Sequence, residues 1–126
     1  GQAACVSCHE DAHDLWEETK HSLAWATLEA KNKTFDPECI SCHVTGYAKP
    51  GGSIVGSVKG FENVQCEACH GPGSTHIASP DAPGLIALKV PAEVCTSCHD
   101  PANSPRFNYD KYLPLILGEG HERRTE

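Results

Sequence analysis

The 126-residue chain contains no methionine, so no thioether is available to bind a metal. Aromatic side chains are scarce: two Trp, three Tyr and three Phe. Apolar runs are short. The longest, residues 113–117, is interrupted by Pro114 and falls far below the roughly 20 residues needed to cross a bilayer, so no membrane span is expected. Positive charge is in deficit, with 10 Lys and Arg against 17 Asp and Glu and a net charge of −7. That balance disfavours nucleic acid, itself a polyanion, as a partner. No basic segment followed by an apolar stretch precedes Cys5, so an export signal is expected to be absent from this chain. The length suits a single domain over residues 1–126, and 11 Gly and 9 Pro favour turns over long regular elements. Such a chain has little apolar material of its own for a core.

No cysteine lies outside one repeated pattern, Cys-x-x-Cys-His. The four copies are Cys5/Cys8/His9, Cys39/Cys42/His43, Cys66/Cys69/His70 and Cys95/Cys98/His99. The pattern reads as covalent haem c attachment. Two thiols a turn apart can each add to one vinyl group of a haem, and the adjacent imidazole then lies under the ring as an iron ligand. Two other readings use the same cysteines. Paired Cys-x-x-Cys units can build Cys₄ zinc sites, and eight cysteines can form four disulfides. Neither gives a reason for a histidine after every second cysteine. Thioredoxin-type dithiols would need a βαβ pattern that is missing here. Four haem c groups are therefore expected.

Without methionine, the His/Met ligation that raises cytochrome potentials is excluded. Four histidines stand outside the motifs, His13, His21, His76 and His121, matching the number of sixth ligands that four irons need. Bis-histidine ligation throughout is the simplest expectation. The motifs begin at 5, 39, 66 and 95, about 31 residues per haem over the chain, without the similarity of a sequence repeat. Residues 10–31 carry the one long helical pattern, with Ala12, Trp16, Leu23 and Thr27 on a common face. On a continuous helix His9 and His13 point the same way and cannot take opposite sides of one iron, while His21 addresses a different haem.

The remainder reads as loops. Residues 49–60 suggest a short hairpin or loop, and Gly71-Pro72-Gly73-Ser74 a tight turn that brings His76 back. Residues 85–90 suggest a short strand or helix and 101–105 an extended stretch. Phe107, Tyr109, Tyr112 and Leu113 then form an aromatic strap, and Gly118 and Gly120 loosen the chain before His121. The haems are expected to supply most of the core, so the chain should not fold without them. Glu17, Glu18, Asp81 and Asp110 read as solvated carboxylates. Electron transfer needs no general acid, base or nucleophile, so no enzyme activity is expected. Two propionates per haem add about eight negative charges, partly offset by the ferric cores, which favours a basic redox partner protein or an extracellular metal or mineral acceptor. C-type haem is attached to exported chains, so the expected location is periplasmic or extracellular.

The segment Cys5-Val6-Ser7-Cys8-His9, then Trp16, His21 and Ala24, followed by Cys39-Ile40-Ser41-Cys42-His43-Val44-Thr45-Gly46 and Cys66-Glu67-Ala68-Cys69-His70-Gly71-Pro72-Gly73-Ser74, resembles the tetrahaem cytochrome c554 family. The fourth motif and the tail from Ser104 to His121 fit the same order. The resemblance implies a mostly α fold with extensive loops, organised around four closely packed haems in stacked pairs. It also implies distal-ligand roles for His21, His76 and His121. In the nitrifier protein that names the family, the haem of the second motif lacks a sixth ligand and can meet nitric oxide, which leaves a nitrogen-oxide redox enzyme as an alternative. His13 is an addition to that pattern and could fill the position or ligate a haem of a neighbouring copy. The chain also resembles small extracellular tetrahaem cytochromes that polymerise into conductive filaments, where contacts between copies are open and propagate. An extracellular filament with His13 ligating across subunits is the expectation, and a discrete periplasmic electron shuttle the alternative.

Overall fold

The computed structural model describes residues 1–118, 120 and 121. Among these the regular structure is helical, in short pieces: α1 Glu10–Glu17, α2 Ala24–Ala30, α3 Pro37–His43, α4 Cys66–His70, α5 Ser74–Ala78, α6 Ala92–Thr96 and α7 Tyr109–Tyr112. Single 3₁₀ turns cover Gln2–Ala4, Lys20–Leu23 and Leu113–Ile116. Strand pairing among the described residues is limited to isolated bridges, Val44 with Glu62, Ile54 with Ser57 and Gly118 with His121. The mostly α, loop-rich class expected from the sequence is what the chain adopts.

The expected helix over 10–31 is two helices. Hydroxyls compete with the backbone at the break. Thr19 Oγ1 donates to the Trp16 carbonyl at 2.7 Å, and Ser22 Oγ donates to the carbonyls of Glu17 and Thr19 at 2.9 and 2.8 Å. Thr19 itself is extended, with ψ 161°. The bend frees His21 from the rotational register of α1. Helix α3 starts more conventionally: Asp36 Oδ1 accepts the Glu38 amide at 3.0 Å and Pro37 occupies the first turn, a cap and a preset φ together.

Three further expectations need correction. Residues 85–90 form neither strand nor helix, because the Ala87 amide donates to the His70 carbonyl at 3.1 Å and ties the segment to the third motif. Residues 101–105 are turned rather than extended. Asp100 Oδ1 accepts the Asn103 amide at 2.8 Å and the Asp100 carbonyl accepts the Ser104 amide at 2.7 Å, the local closure typical of Asp. Gly118 and Gly120 permit close approach rather than slack. A Cβ on Gly120 would stand 2.6 Å from Asp11 Cβ, and the residue's φ of +76° favours glycine.

The polypeptide core is small. Leu28, Ile40 and Val44 form it, with Trp25, Cys39, Tyr47, Val55 and Val58 packed around them. It lies between α2, α3 and the loop after α3, beside the second motif. Ile40, at 0% exposure, contributes about 1.5–3 kcal/mol by burial. The total accessible surface is 8783 Å², about a third more than the ~6,500 Å² expected of a compact chain of this mass.

Candidate haem sites

Each motif closes on a helical turn. The His9 amide donates to the Cys5 carbonyl at 3.0 Å and the His99 amide to the Cys95 carbonyl at 2.8 Å, while the second motif ends α3 and the third forms α4. In a helical turn residues i, i+3 and i+4 share a side, so both thiols and the imidazole of a motif address one space. None of the eight cysteines is joined to another in a disulfide, which removes the disulfide reading. The zinc reading fails on placement, since the one group of metal-ligating side chains that converges among the described residues is His13, Asp14 and Glu17, without a cysteine.

The histidines are arranged in facing pairs. His9 stands opposite His76 with ring centres 6.4 Å apart and planes 25° from parallel. His21 faces His99 at 6.2 Å, and His70 faces His121 at 6.0 Å. Two imidazoles on opposite sides of one iron, with metal–nitrogen bonds of about 2.1 Å, need ring centres about 6 Å apart. Each pair joins a motif histidine to one outside the motifs, and the spacing fits a haem iron between them.

Tautomers fit as well. His43 Nδ1 donates to the Ala24 carbonyl at 2.6 Å, His70 Nδ1 to the Ala87 carbonyl at 2.5 Å, and His121 Nδ1 to the Ile116 carbonyl at 2.8 Å. A carbonyl only accepts, so the proton sits on Nδ1 and the Nε2 lone pair is free for a metal. His99 Nδ1 is held by Ser104 Oγ at 2.9 Å. Burial, and then the neighbouring His99, hold His21 below the ordinary histidine range. Burial does the same for His99. Both shifts favour the neutral imidazole, the form that ligates. Burial and the adjacent Cys5 push Cys66 up to about 11, and burial and the adjacent Cys42 do so for Cys98.

The remaining two histidines do not form a pair. Among the described residues no imidazole stands opposite His43. The His13 ring lies against Trp16, with centres 5.7 Å apart, and its Nε2 is hydrogen-bonded to Gln2 Oε1. Its side chain is 11% exposed. Trp16 also spends its indole N–H on the Val64 carbonyl at 2.7 Å. Two members of the aromatic strap pack on the fourth motif: Phe107 stacks on His99 at 4.6 Å and Tyr112 meets the same ring edge-on at 5.8 Å.

Several supporting residues carried no sequence signal. The carbonyls of Ala24, Ala87 and Ile116 are invisible in a sequence, Ser104 sits in a stretch that reads as extended, and Asn63 lies in a segment with no pattern of its own.

A family model described as cytochrome c554 and c-prime matches residues 4–71, more than half of the chain and the first three motifs. The chain belongs to the cytochrome c554 family. Cytochrome c-554 of Nitrosomonas europaea is 35% identical over 154 aligned positions, covering 92% of this chain. The chain spans 66% of that relative's length. The solved structure of reduced cytochrome c554 from the same organism matches with a TM-score of 0.71 at 24% identity, over 99% of this chain and 89% of the other. That likeness extends the fold across the fourth motif. As a member of the cytochrome c554 family with four attachment motifs, the protein carries four haem c groups.

Proposed function

We propose that this cytochrome is a discrete electron carrier working outside the cytoplasmic membrane, with three bis-histidine haems and a fourth held by His43 alone. The observation that carries this reading is the pairing: six of the eight histidines face one another at 6.0–6.4 Å, and His43 has no such partner. On this reading bis-histidine ligation holds at three irons, one fewer than the histidine count suggests.

The cysteines suggest an order for the sites. Cys5 lies beside Cys66, Cys95 beside Cys69, and Cys42 beside Cys98. The first site therefore adjoins the third, the third adjoins the fourth, and the fourth adjoins the second. Electrons would cross one at a time along that series, with the His43 iron at one end, the His9–His76 iron at the other and the remaining two-histidine irons between them. Ligand identity and hydrogen bonds to Nδ1 set the potentials along it. The acidic surface suits a basic redox partner.

One observation favours a filament: a single histidine, His13, and a single unmatched iron are left over, and a neighbouring copy could join them. Against it, the His13 side chain is nearly buried and already bonded to Gln2, so reaching a second molecule would require it to leave that place. The discrete carrier needs no rearrangement. On this reading the reduced holoprotein is monomeric by sedimentation and binds one carbon monoxide per chain. A monomer that binds none, or long polymers in which no iron accepts the gas, would overturn it.

A further inference from the structure

The second motif's histidine is held by a closed ring of hydrogen bonds that passes through one peptide group. His43 Nδ1 donates to the Ala24 carbonyl at 2.6 Å. The N–H of that same peptide belongs to Trp25 and donates to Asn63 Oδ1 at 2.9 Å. The Asn63 amide in turn donates to the His43 carbonyl at 3.1 Å. Trp25 N–H is a first-turn amide of α2, a group with no partner inside its own helix, and Asn63 supplies one from 38 residues away in the chain.

Asn63 is itself held firmly. Its φ is +74°, a left-handed conformation that Asn tolerates and most residues do not. Its carbonyl accepts the Thr45 hydroxyl at 2.9 Å, and Thr45 Oγ1 accepts the Gln65 amide at 3.0 Å. Thr45 and Gln65 are both buried.

From this arrangement we infer that Asn63 is a positioning residue that lowers the reduction potential of the His43 haem. Hydrogen bonds in series polarise one another. An acceptor on the N–H side of the Ala24–Trp25 peptide makes its carbonyl a stronger acceptor on the other side. A stronger Nδ1–H···O bond makes His43 the better electron donor at Nε2, and a better donor favours the ferric state. His70 and His121 also give their Nδ1 protons to carbonyls, but no Asn side chain is bonded to the N–H of those peptides among the described residues. The device is particular to the second motif.

The inference rests on His43 being the proximal ligand of that haem, and not on whether its far side is open. Asn63→Gly keeps a backbone able to hold φ +74° and removes Oδ1 alone. Asn63→Asp keeps the acceptor and adds charge. Haem-resolved redox titration of the holoprotein should find the His43 iron about tenfold easier to reduce in N63G, a rise of about 59 mV for one electron. N63D should move it the other way, and the other three irons should stay in place. The ferrous iron–histidine stretching frequency of that haem, read by resonance Raman where it is five-coordinate, should fall in N63G and rise in N63D. An unchanged His43 potential in both variants overturns the inference, as does a shift shared equally by all four irons. A wild-type protein whose irons are all six-coordinate would overturn the open site of the preceding section, while the titration would still decide the role of Asn63.

Discussion

Produced in a host that attaches no haem c, the chain is expected to stay unfolded, with under about one molecule in a hundred native. Its far-ultraviolet circular dichroism should lack the helical signal of the holoprotein, and it should be degraded rapidly by added protease. The reason is the size of the core. Leu28, Ile40 and Val44, with Ala24 nearby, are the buried apolar side chains among the described residues. The accessible surface exceeds that of a compact chain by about a third. Helices of four to eight residues are too short to persist alone in water. The histidine pairs and facing thiols enclose space that apolar porphyrin faces fill, so haem attachment and folding are one event. A stably folded haem-free chain would refute this account of the core.

Replacing a distal histidine should have the second large effect, and it should be local. His76→Ala, His21→Ala and His121→Ala each remove one member of a facing pair. Each variant should convert one low-spin iron to high spin and raise that iron's potential by roughly 100 mV, within the ≈ 0.8 V over which axial ligation acts. The sign follows from losing an imidazole donor that favours ferric iron. His13→Ala should leave the spin states of the isolated molecule unchanged, because His13 is engaged with Gln2 and Trp16. Absorption and electron paramagnetic resonance spectra of the four variants separate these outcomes. A change of spin state in His13→Ala would place that residue on an iron.

The chemistry was readable in the sequence to the extent that it is local. A Cys-x-x-Cys-His segment brings both thiols and the imidazole together within one helical turn, so spacing alone specifies the attachment sites. The absence of methionine limited the axial ligands to histidine in the same direct way. Pairing is different in kind. Opposing His9 to His76 or His70 to His121 depends on how distant segments cross, and no local pattern encodes that. Four spare histidines for four irons invite a fourth pair, and the structure sets His13 against Trp16 and Gln2 rather than opposite His43. The single helix over 10–31 failed for a smaller reason: Thr19 and Ser22 look tolerable in a helical pattern until their hydroxyls take backbone carbonyls. Asn63 went unnoticed because its importance lies in which peptide it reaches, not in its neighbours along the chain.

The central claim is the division of the four irons into three with two histidines and one with His43 alone. Quantitative electron paramagnetic resonance of the fully oxidised, monomeric holoprotein measures that division. The account predicts three low-spin ferric haems and one high-spin ferric haem per chain. Four low-spin signals from a monomer would contradict it.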